Sequence, residues 1–222
     1  AHTPWYKGET LNELLHSQKK ETHKTAPLRF DVQQVIHAQE KEFVDYRGYA
    51  GRVVSGEISI GDRITTLPSL KESVVKEIRR YTDTLETARA GDSVSLSLTD
   101  DIDISRGALI CQAENLPDQS TQIQATLVWM DEKTVATGAK LLLKTGSREF
   151  PVKLQKILST VNPEAPLEKM PATSIELNDI TEVELKLSQP GYFDVYRANK
   201  KNGVFILIDP QSNNTIAVGF VN

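Results

Sequence analysis

The stretch Arg47–Asp62 reads RGYAGRVVSGEISIGD and decides the fold of this chain. It consists of two short apolar runs that resemble strands and are interrupted by four glycines: Gly48, Gly51, Gly56 and Gly61. Glycine adopts backbone angles that are closed to other residues, so it marks tight turns, bulges and corners. Ile58 and Ile60 alternate with polar residues, which predicts a strand with one buried face. The stretch therefore predicts a small β-barrel with sharp corners, in which the four glycines take special backbone angles.

The composition is that of an ordinary globular protein. The chain has 222 residues, of which 39% are hydrophobic and 25% are charged, and this suits one or two domains. Its formal net charge is -4 at pH 7, so no general electrostatic attraction to nucleic acid or to an anionic membrane is expected. The longest apolar runs, such as Val204–Ile208, fall far short of the ~20 residues that cross a bilayer. We therefore expect neither nucleic acid nor a membrane as a partner.

The N-terminus and the single cysteine favour a cytoplasmic location. The first residues lack both an initiator Met and the basic segment and apolar core of a signal peptide, which reads as the edge of an excised piece. Cys111 is the only cysteine, which rules out an intramolecular disulfide and a thiolate zinc cluster. It follows Ala108-Leu109-Ile110, so we expect a small buried apolar residue in a reducing compartment.

Residues 1–26 are expected to form a leader and linker before the barrels. Thr10 is placed to cap a short helix that carries Leu11, Leu14 and Leu15, and Glu13 would complete a capping box. Residues 18–25 are polar and predict a linker.

Period-two alternation then predicts two antiparallel β-domains in tandem. In the first domain, residues 27–115, Val94, Leu96 and Leu98 alternate with serines, as in a strand with one wet face. Residues 113–122 predict an interdomain linker, and the second domain covers residues 121–222. Strands this short favour closed barrels, because closure removes exposed edges. The predicted fold class is all-β, with two tandem antiparallel β-barrels.

Two patterns locate strands in the second domain. Four apolar residues at a spacing of two are expected to share one face of a strand: Ile123, Ala125, Leu127 and Trp129. Asn202-Gly203 supplies the positive backbone angles of a type I′ turn, so a hairpin is predicted there.

No catalytic, cofactor-binding or metal-binding constellation is recognisable in the sequence. A GxxxxGK[ST] phosphate loop is absent, and neither Gly138-Ala139-Lys140 nor Lys144-Thr145-Gly146 has the required glycine spacing. The histidines form no HxxxH pair and are expected on the surface or in linkers: His2, His16, His23 and His37. Asp100, Asp101 and Asp103 are the residue type that holds calcium or magnesium. Because two of them alternate with isoleucines, we expect these carboxylates on an outer face instead.

The first domain resembles the second domain of translation-factor GTPases such as elongation factor Tu. That domain reads R-G-x-x-G-x-V-x-S-G-x-I-x-x-G-D, and Arg47–Asp62 fits every marked position. Asp103–Gly107 resembles the D-I-x-R-G turn that ends the same domain, where it is structural. The resemblance covers roughly Pro27–Ala113 and implies barrels like domains 2 and 3 of those proteins.

More specific motifs resemble the large, CysN-type subunit of two-subunit bacterial sulfate adenylyltransferase. Thr3–Leu11 is similar to the P-W-Y-x-G-x-T-L segment just after the GTP-binding domain of that subunit. Thr126–Asp131 resembles the opening strand of its third domain, and Phe193–Asp209 resembles its F-D-x-Y-x-x-N-x-x-x-G-x-F-I-L-I-D ending. Together these motifs span nearly the whole chain and imply the C-terminal barrel domains 2 and 3 of that subunit.

The resemblance implies a role in sulfate assimilation. The complete enzyme joins sulfate to the adenylyl group of ATP, giving adenosine 5′-phosphosulfate and pyrophosphate, and GTP hydrolysis by the large subunit drives this unfavourable reaction. GTP and magnesium would bind an upstream GTPase domain that is absent here, and adenylyl transfer would occur on a smaller catalytic subunit. This chain would be a non-catalytic regulatory part that positions the GTPase domain and docks the catalytic subunit. Trp5 and Tyr6 are then a candidate domain interface.

Two other functions stay open. A translation-factor fragment would bind tRNA or the ribosome, although the acidic balance and the Phe193–Asp209 motif count against it. A stand-alone β-barrel would bind a small ligand, although the polar linkers and the lack of an aromatic pocket count against it. Trp5 and Tyr6 also have a second interpretation, in which they pack onto the first barrel of this chain.

Overall fold

The computed structural model describes residues 5–18, 26–38, 46–165 and 168–222. Its one helix in this part of the chain, α1 (Leu11–Ser17), begins with the predicted capping box. The Thr10 hydroxyl accepts the Glu13 N–H at 3.2 Å, and the Glu13 carboxylate accepts the Thr10 N–H at 2.7 Å. The second of these bonds lowers the pKa of Glu13. Thr3, Pro4, His2, His23 and most of the predicted 18–25 linker lie outside the described residues.

The first sheet closes into a barrel. Its strand order is β4-β9-β1-β2-β8-β5-β6, and β4 also pairs with β5, which closes a ring of six strands and leaves β6 outside it. A two-stranded sheet of β3 and β7 accompanies it. The strands of this half are β1 (Arg29–Ala38), β2 (Tyr46–Ser55), β3 (Glu57–Ser59), β4 (Arg63–Leu67), β5 (Lys71–Arg80), β6 (Asp83–Leu85), β7 (Thr87–Arg89), β8 (Ser93–Leu98) and β9 (Leu109–Gln112).

The second sheet repeats this closure with a different connectivity. Its order is β12-β17-β18-β10-β16-β13-β14, and the additional pairing of β12 with β13 closes a ring of six strands and leaves β14 outside it. A two-stranded sheet of β11 and β15 lies beside it. Its strands are β10 (Asp118–Trp129), β11 (Val135–Ala136), β12 (Lys140–Thr145), β13 (Arg148–Val161), β14 (Lys169–Met170), β15 (Ser174–Ile175), β16 (Ile180–Phe193), β17 (Val204–Ile208) and β18 (Thr215–Val221). The predicted all-β architecture is confirmed.

Each barrel has its own apolar core, built from alternate residues of its strands. The first contains Phe30, Ile58 and Leu96, each fully buried. The second contains the four residues predicted to share one face of β10, and Trp129 is its largest fully buried side chain. Two separate cores explain why the halves form two barrels and not one extended sheet.

The junction between the barrels is shorter than the predicted linker of residues 113–122. Strand β9 ends at Gln112 in the first sheet, and β10 begins at Asp118 in the second. Gln119 and Ser120 are already paired with β16. Strand β10 therefore begins inside the predicted linker, and the domain boundaries of 27–115 and 121–222 stay a prediction. The sequence did not reveal the start of β10 because the residues there are polar, as in a linker.

Two local predictions are wrong. Ile58 is buried, but Ile60 is 42% exposed, because β3 ends at Ser59. The Asp62 carboxylate accepts the Ser59 N–H at 2.8 Å and turns the chain there. Asn202-Gly203 also forms no type I′ hairpin. Strand β16 ends at Phe193, and neither residue is among those with positive φ in the described chain.

The acidic group after β8 lies on the outer face, as predicted. Arg47 donates to Asp101 at 2.6 Å and to Asp103 at 3.1 Å, and both carboxylates are largely exposed. Ile102 and Ile104 alternate with them and are buried. These ion pairs therefore hold the segment after β8 against β2.

Candidate functional site at the junction of the barrels

The junction is organised around Arg29, a buried arginine at the start of β1. It is 1% exposed, and its guanidinium donates to both carboxylate oxygens of Asp194, at 2.9 Å and 2.8 Å. The remaining donors reach the carbonyl oxygens of Leu28 at 2.8 Å and Asn115 at 2.7 Å. A bidentate pair with its other donors satisfied is the arrangement in which a buried charge is tolerated.

Asp194 collects further donors from the loop that follows β16. Asn199 donates to it at 2.9 Å and Asn202 at 3.0 Å, and both amides are buried. Asn199 also donates to the Ser55 hydroxyl of the first barrel at 2.8 Å. We call Arg29, Ser55, Asp194, Asn199 and Asn202 the junction network. It joins the end of β2 and the start of β1 to a single loop of the second barrel.

A second polar contact lies beside this network. The Asp31 carboxylate accepts the Ser147 N–H at 3.0 Å and its hydroxyl at 2.8 Å. Gly146 allows this approach, because it has φ +56° and a Cβ there would lie 2.8 Å from the Asp31 carboxylate. Asp31 belongs to β1 and Ser147 to the β12–β13 turn, so the contact again joins the two barrels.

Arg148 extends the polar contacts within the second barrel. It donates to the Tyr192 carbonyl at 3.0 Å and to the Asn202 side chain at 3.2 Å. Burial lowers the pKa of Arg148, and the negative charge of Asp31 opposes that shift. The guanidinium holds the ends of β13 and β16 against the same loop that carries Asn202.

An apolar cluster completes the junction. Leu67, Leu109 and Cys111 of the first barrel pack with Tyr192 of the second. Cys111 is fully buried, as predicted, and burial is the main cause that raises the pKa of its thiol to about 12. A protonated buried thiol is a poor nucleophile, so the geometry gives Cys111 a packing role.

A cleft of about 420 Å³ opens along the same seam. Both barrels contribute to its walls, which include Pro68, Arg106, Arg148, Phe150 and Pro190. No group of three His, Cys, Asp or Glu side chains suited to a metal ion occurs among the described residues. No described helix is long and apolar enough to cross a membrane.

The predicted interface residues Trp5 and Tyr6 are not among the residues that form the junction. Trp5 is 78% exposed and Tyr6 is 54% exposed, and their rings contact each other edge-on with centroids 6.1 Å apart. The next helix, α1, buries none of its residues, and its leucines are exposed. The interface role of Trp5 and Tyr6 stays a prediction.

Special backbone angles were predicted for all four glycines, and two of them have a positive φ while Gly48 and Gly51 do not. Gly56 and Gly61 have φ of +70° and +90°, so both occupy the left-handed region. Gly51 lies inside β2, where a Cβ would overlap the backbone oxygen of Asp31. Gly48 also lies within β2, opposite Ile36. Space therefore requires glycine at position 51, and backbone angle requires it at 56 and 61.

Sequence reasoning missed the junction network. Arg29 and Asp31 carry no local motif, whereas Ser55 belongs to the Arg47–Asp62 motif. The partners of all three in the second barrel lie more than a hundred residues away along the chain. A further signal was the Phe193–Asp209 motif, whose Asp194 and Asn199 contact Arg29 and Ser55 of the first barrel.

Known proteins match this chain along its whole length. Sulfate adenylyltransferase subunit 1 of Colwellia psychrerythraea is 39% identical over 223 residues, which covers 100% of this chain and 47% of the relative. This chain is homologous to part of sulfate adenylyltransferase subunit 1. The subunit 1 of Shewanella woodyi is 36% identical over 98% of the chain and 45% of the relative. The bifunctional enzyme CysN/CysC of Rhodopirellula baltica is 37% identical over 98% of the chain and 33% of its own length. The chain thus spans about half the length of the subunit 1 relatives that it matches.

A family model matches the second barrel, and solved structures match both barrels. The model described as GTP-eEF1A C-terminal domain-like matches residues 122–222. Crystal structures of sup35 complexed with GDP and with GMPPNP each superpose with a TM-score of 0.77 at 20% identity, covering 98% of this chain and 52% of that chain. This likeness shows that the two barrels share the fold of the corresponding part of sup35.

Proposed function

We propose that this chain is the non-catalytic two-barrel part of the GTP-dependent regulatory subunit of sulfate adenylyltransferase. The single observation that carries the proposal is the match to subunit 1 relatives over essentially the whole chain, at 36% to 39% identity. Part of a protein numbered subunit 1 is expected to work with a second subunit. We infer that the chain docks the smaller catalytic subunit and positions a GTPase domain.

The junction supports a scaffold role. A scaffold transmits position only if its parts move together, and the buried Arg29–Asp194 pair connects the two barrels at their centre. Truncating one member would leave a buried charge without its partner, which is costly. The two barrels are therefore expected to present one fixed surface to both partners.

GTP and magnesium belong, in this proposal, to the GTPase domain and not to these barrels. The sequence of this chain lacks the glycine-rich loop and lysine that hold the β- and γ-phosphates. When bound to that domain, GTP supplies the hydrolysis that drives formation of adenosine 5′-phosphosulfate. The residues of this chain contribute position to that process, in a protein that we expect in the cytoplasm.

The N-terminal segment is our candidate for contact with the GTPase domain. Trp5, Tyr6 and the leucines of α1 are exposed on this chain, and exposed aromatic and aliphatic groups close together mark contact sites. In the proposed protein their partner surface is the GTPase domain, which would precede them.

The proposal is tested by titrating this chain into the purified smaller subunit in a calorimeter. We expect saturable binding, and we expect no heat when GTP and magnesium replace the subunit. Absence of binding to the subunit would overturn the docking role. Micromolar binding of GTP would overturn the assignment of nucleotide binding to another domain.

A second candidate is a translation-factor fragment that binds tRNA or the ribosome. It is favoured by the match of residues 122–222 to the GTP-eEF1A C-terminal domain model. The net charge of -4 and the higher identity to subunit 1 relatives count against it. Retention of labelled tRNA by this chain on a filter, at physiological salt, would support this candidate over the first.

A further inference from the structure

The register of the second barrel places three lysines side by side in one row. Lys140 of β12 lies directly opposite Lys153 of β13, and Lys153 lies directly opposite Lys186 of β16. All three side chains are exposed. Directly opposite residues have Cβ atoms about 5 Å apart. The Cβ atoms of the two outer lysines, Lys140 and Lys186, are therefore roughly 10 Å apart across the three strands. We call these three residues the lysine row.

The lysine row differs from its surroundings in the same barrel. Elsewhere the register places lysines opposite acids, with Lys144 opposite Glu149 and Lys156 opposite Glu184. Lys169 forms an ion pair with Glu182 at 2.7 Å. Among the residues that the structure describes, none of the three lysines of the row forms an ion pair.

The fold gains nothing from this arrangement. Like charges directly opposite each other on one face of a sheet are destabilising. An exposed position tolerates many polar residues, so neutral side chains at these sites would remove the repulsion without disturbing the core. A counter-charge supplied from outside the chain would turn the unfavourable row into a favourable contact.

Apolar surface lies beside the row on the same face. Leu142, two residues after Lys140, lies opposite Pro151, two residues before Lys153. Leu142 is half-buried and Pro151 is exposed. Charge next to accessible apolar surface is the composition of a protein interface rim and its neighbouring contact area.

We propose that the lysine row is a docking surface for an acidic face of a protein partner, the smaller subunit of the proposed enzyme. This inference rests on the proposed function and adds to it the surface that makes the contact. The nearby acids Glu184 and Glu182 face Lys156 and Lys169, so within the described chain the row keeps three unpaired positive charges, which suit a local acidic patch on a partner. Proteins that bind nucleic acid through its backbone make about 6–10 phosphate contacts, which the row does not provide.

The key variant is Lys153→Glu, which changes the centre of the row. The new carboxylate would lie between Lys140 and Lys186, so repulsion falls and the melting temperature stays the same or rises. Binding to the smaller subunit is expected to weaken about tenfold at low salt, mainly through slower association. A structural role alone would leave binding unchanged. Opposite effects on stability and on binding therefore distinguish docking from folding.

Lys76→Glu is the matched control, because Lys76 is an exposed lysine of β5 in the other barrel and the change in net charge is the same. We expect it to bind like the parent chain. The triple variant Lys140→Glu, Lys153→Glu and Lys186→Glu should abolish measurable binding, and binding of the parent chain should weaken as the salt concentration rises from about 50 to 200 mM.

Each outcome decides a different claim. If the parent chain binds the smaller subunit and the lysine variants bind equally well, the lysine row is not the docking surface and the proposed function survives. If the parent chain does not bind the smaller subunit at all, the inference and the docking role both fail. If the parent instead binds tRNA through these lysines, the partner is a nucleic acid and the proposal is wrong.

Discussion

Arg29 and Asp194 are separated by 165 positions and form a bidentate buried ion pair at the centre of the junction. Arg29 begins the first strand of the first barrel, and Asp194 follows β16 of the second. The side chains are 1% and 11% exposed. The pair is therefore a well-satisfied buried contact that joins the two barrels, beside the Asn199–Ser55 and Ser147–Asp31 hydrogen bonds.

Breaking this pair should separate the unfolding of the two barrels. Arg29→Met leaves the Asp194 carboxylate buried without its cation, and such changes cost about 3–5 kcal/mol. Scanning calorimetry is expected to show two transitions for the variant and one for the parent. Arg63→Met is the matched control, since its pair with Glu72 is exposed and should contribute at most about 1 kcal/mol. A single, unshifted transition in Arg29→Met would show that the barrels are coupled elsewhere.

The glycines of Arg47–Asp62 should respond differently to alanine. Gly61 has φ +90° and free space around it, so Gly61→Ala should cost about 1–3 kcal/mol through backbone strain alone. Gly51→Ala should cost more, because the methyl group overlaps the backbone of Asp31 and would force β1 and β2 apart. Urea denaturation measures both. Equal costs would show that β1 relaxes around position 51.

Cys111 should react only when the protein opens. Its thiol is fully buried and has a pKa of about 12, so a thiol reagent near pH 8.5 should label it at the opening rate. Rapid labelling under native conditions would contradict the observed junction.

The same cysteine predicts the alkaline limb of stability. Burial raises the pKa of the thiol in the folded state. Its contribution to the free energy of unfolding is therefore present below the unfolded pKa of about 8.5 and is lost as the pH rises above that value. Cys111→Ala should lack this loss. Denaturation of both proteins at neutral and alkaline pH provides the comparison.

Glu182 predicts a small effect at acidic pH. The hydrogen bond from Lys169 lowers the pKa of Glu182 in the folded state. The contribution of Glu182 to the free energy of unfolding is therefore present above the ordinary pKa of 4.5 and is lost as the pH falls through the lowered pKa of the folded state. Since Lys169 is 58% exposed, we expect less than about 1 kcal/mol. Lys169→Met should flatten this part of the stability profile. An identical profile would mean that the ion pair contributes nothing measurable.

Regular alternation was enough to predict the barrels but not the contacts between them. The strand of Val94, Leu96 and Leu98 is visible because these apolar residues at a spacing of two are all buried, although Ser97 between two of them is buried as well and the face predicted to be wet is not fully exposed. The Asn202-Gly203 turn was mistaken because the same residue types also suit a buried polar role. Asn202 binds Asp194, and a Cβ at Gly203 would lie 2.5 Å from Tyr196 Cα.

The lysine row is a second feature that the sequence alone could not reveal. Lys140, Lys153 and Lys186 are isolated in the sequence, and strand register alone brings them together. A one-residue shift in register would place them opposite other partners and on the other face. Local patterns do not encode such long-range pairings, so these sites become visible only in the folded chain.

The most direct test of the scaffold role compares two forms of a complete large subunit that contains this chain. Each is co-expressed with the smaller subunit, one intact and one lacking residues 27–222, and GTP-stimulated adenylyltransferase activity is measured on the purified complex. We predict that the intact form gives a stable, GTP-stimulated complex and that the form without both barrels gives none. A stable complex that is still stimulated by GTP without the barrels would contradict the proposal.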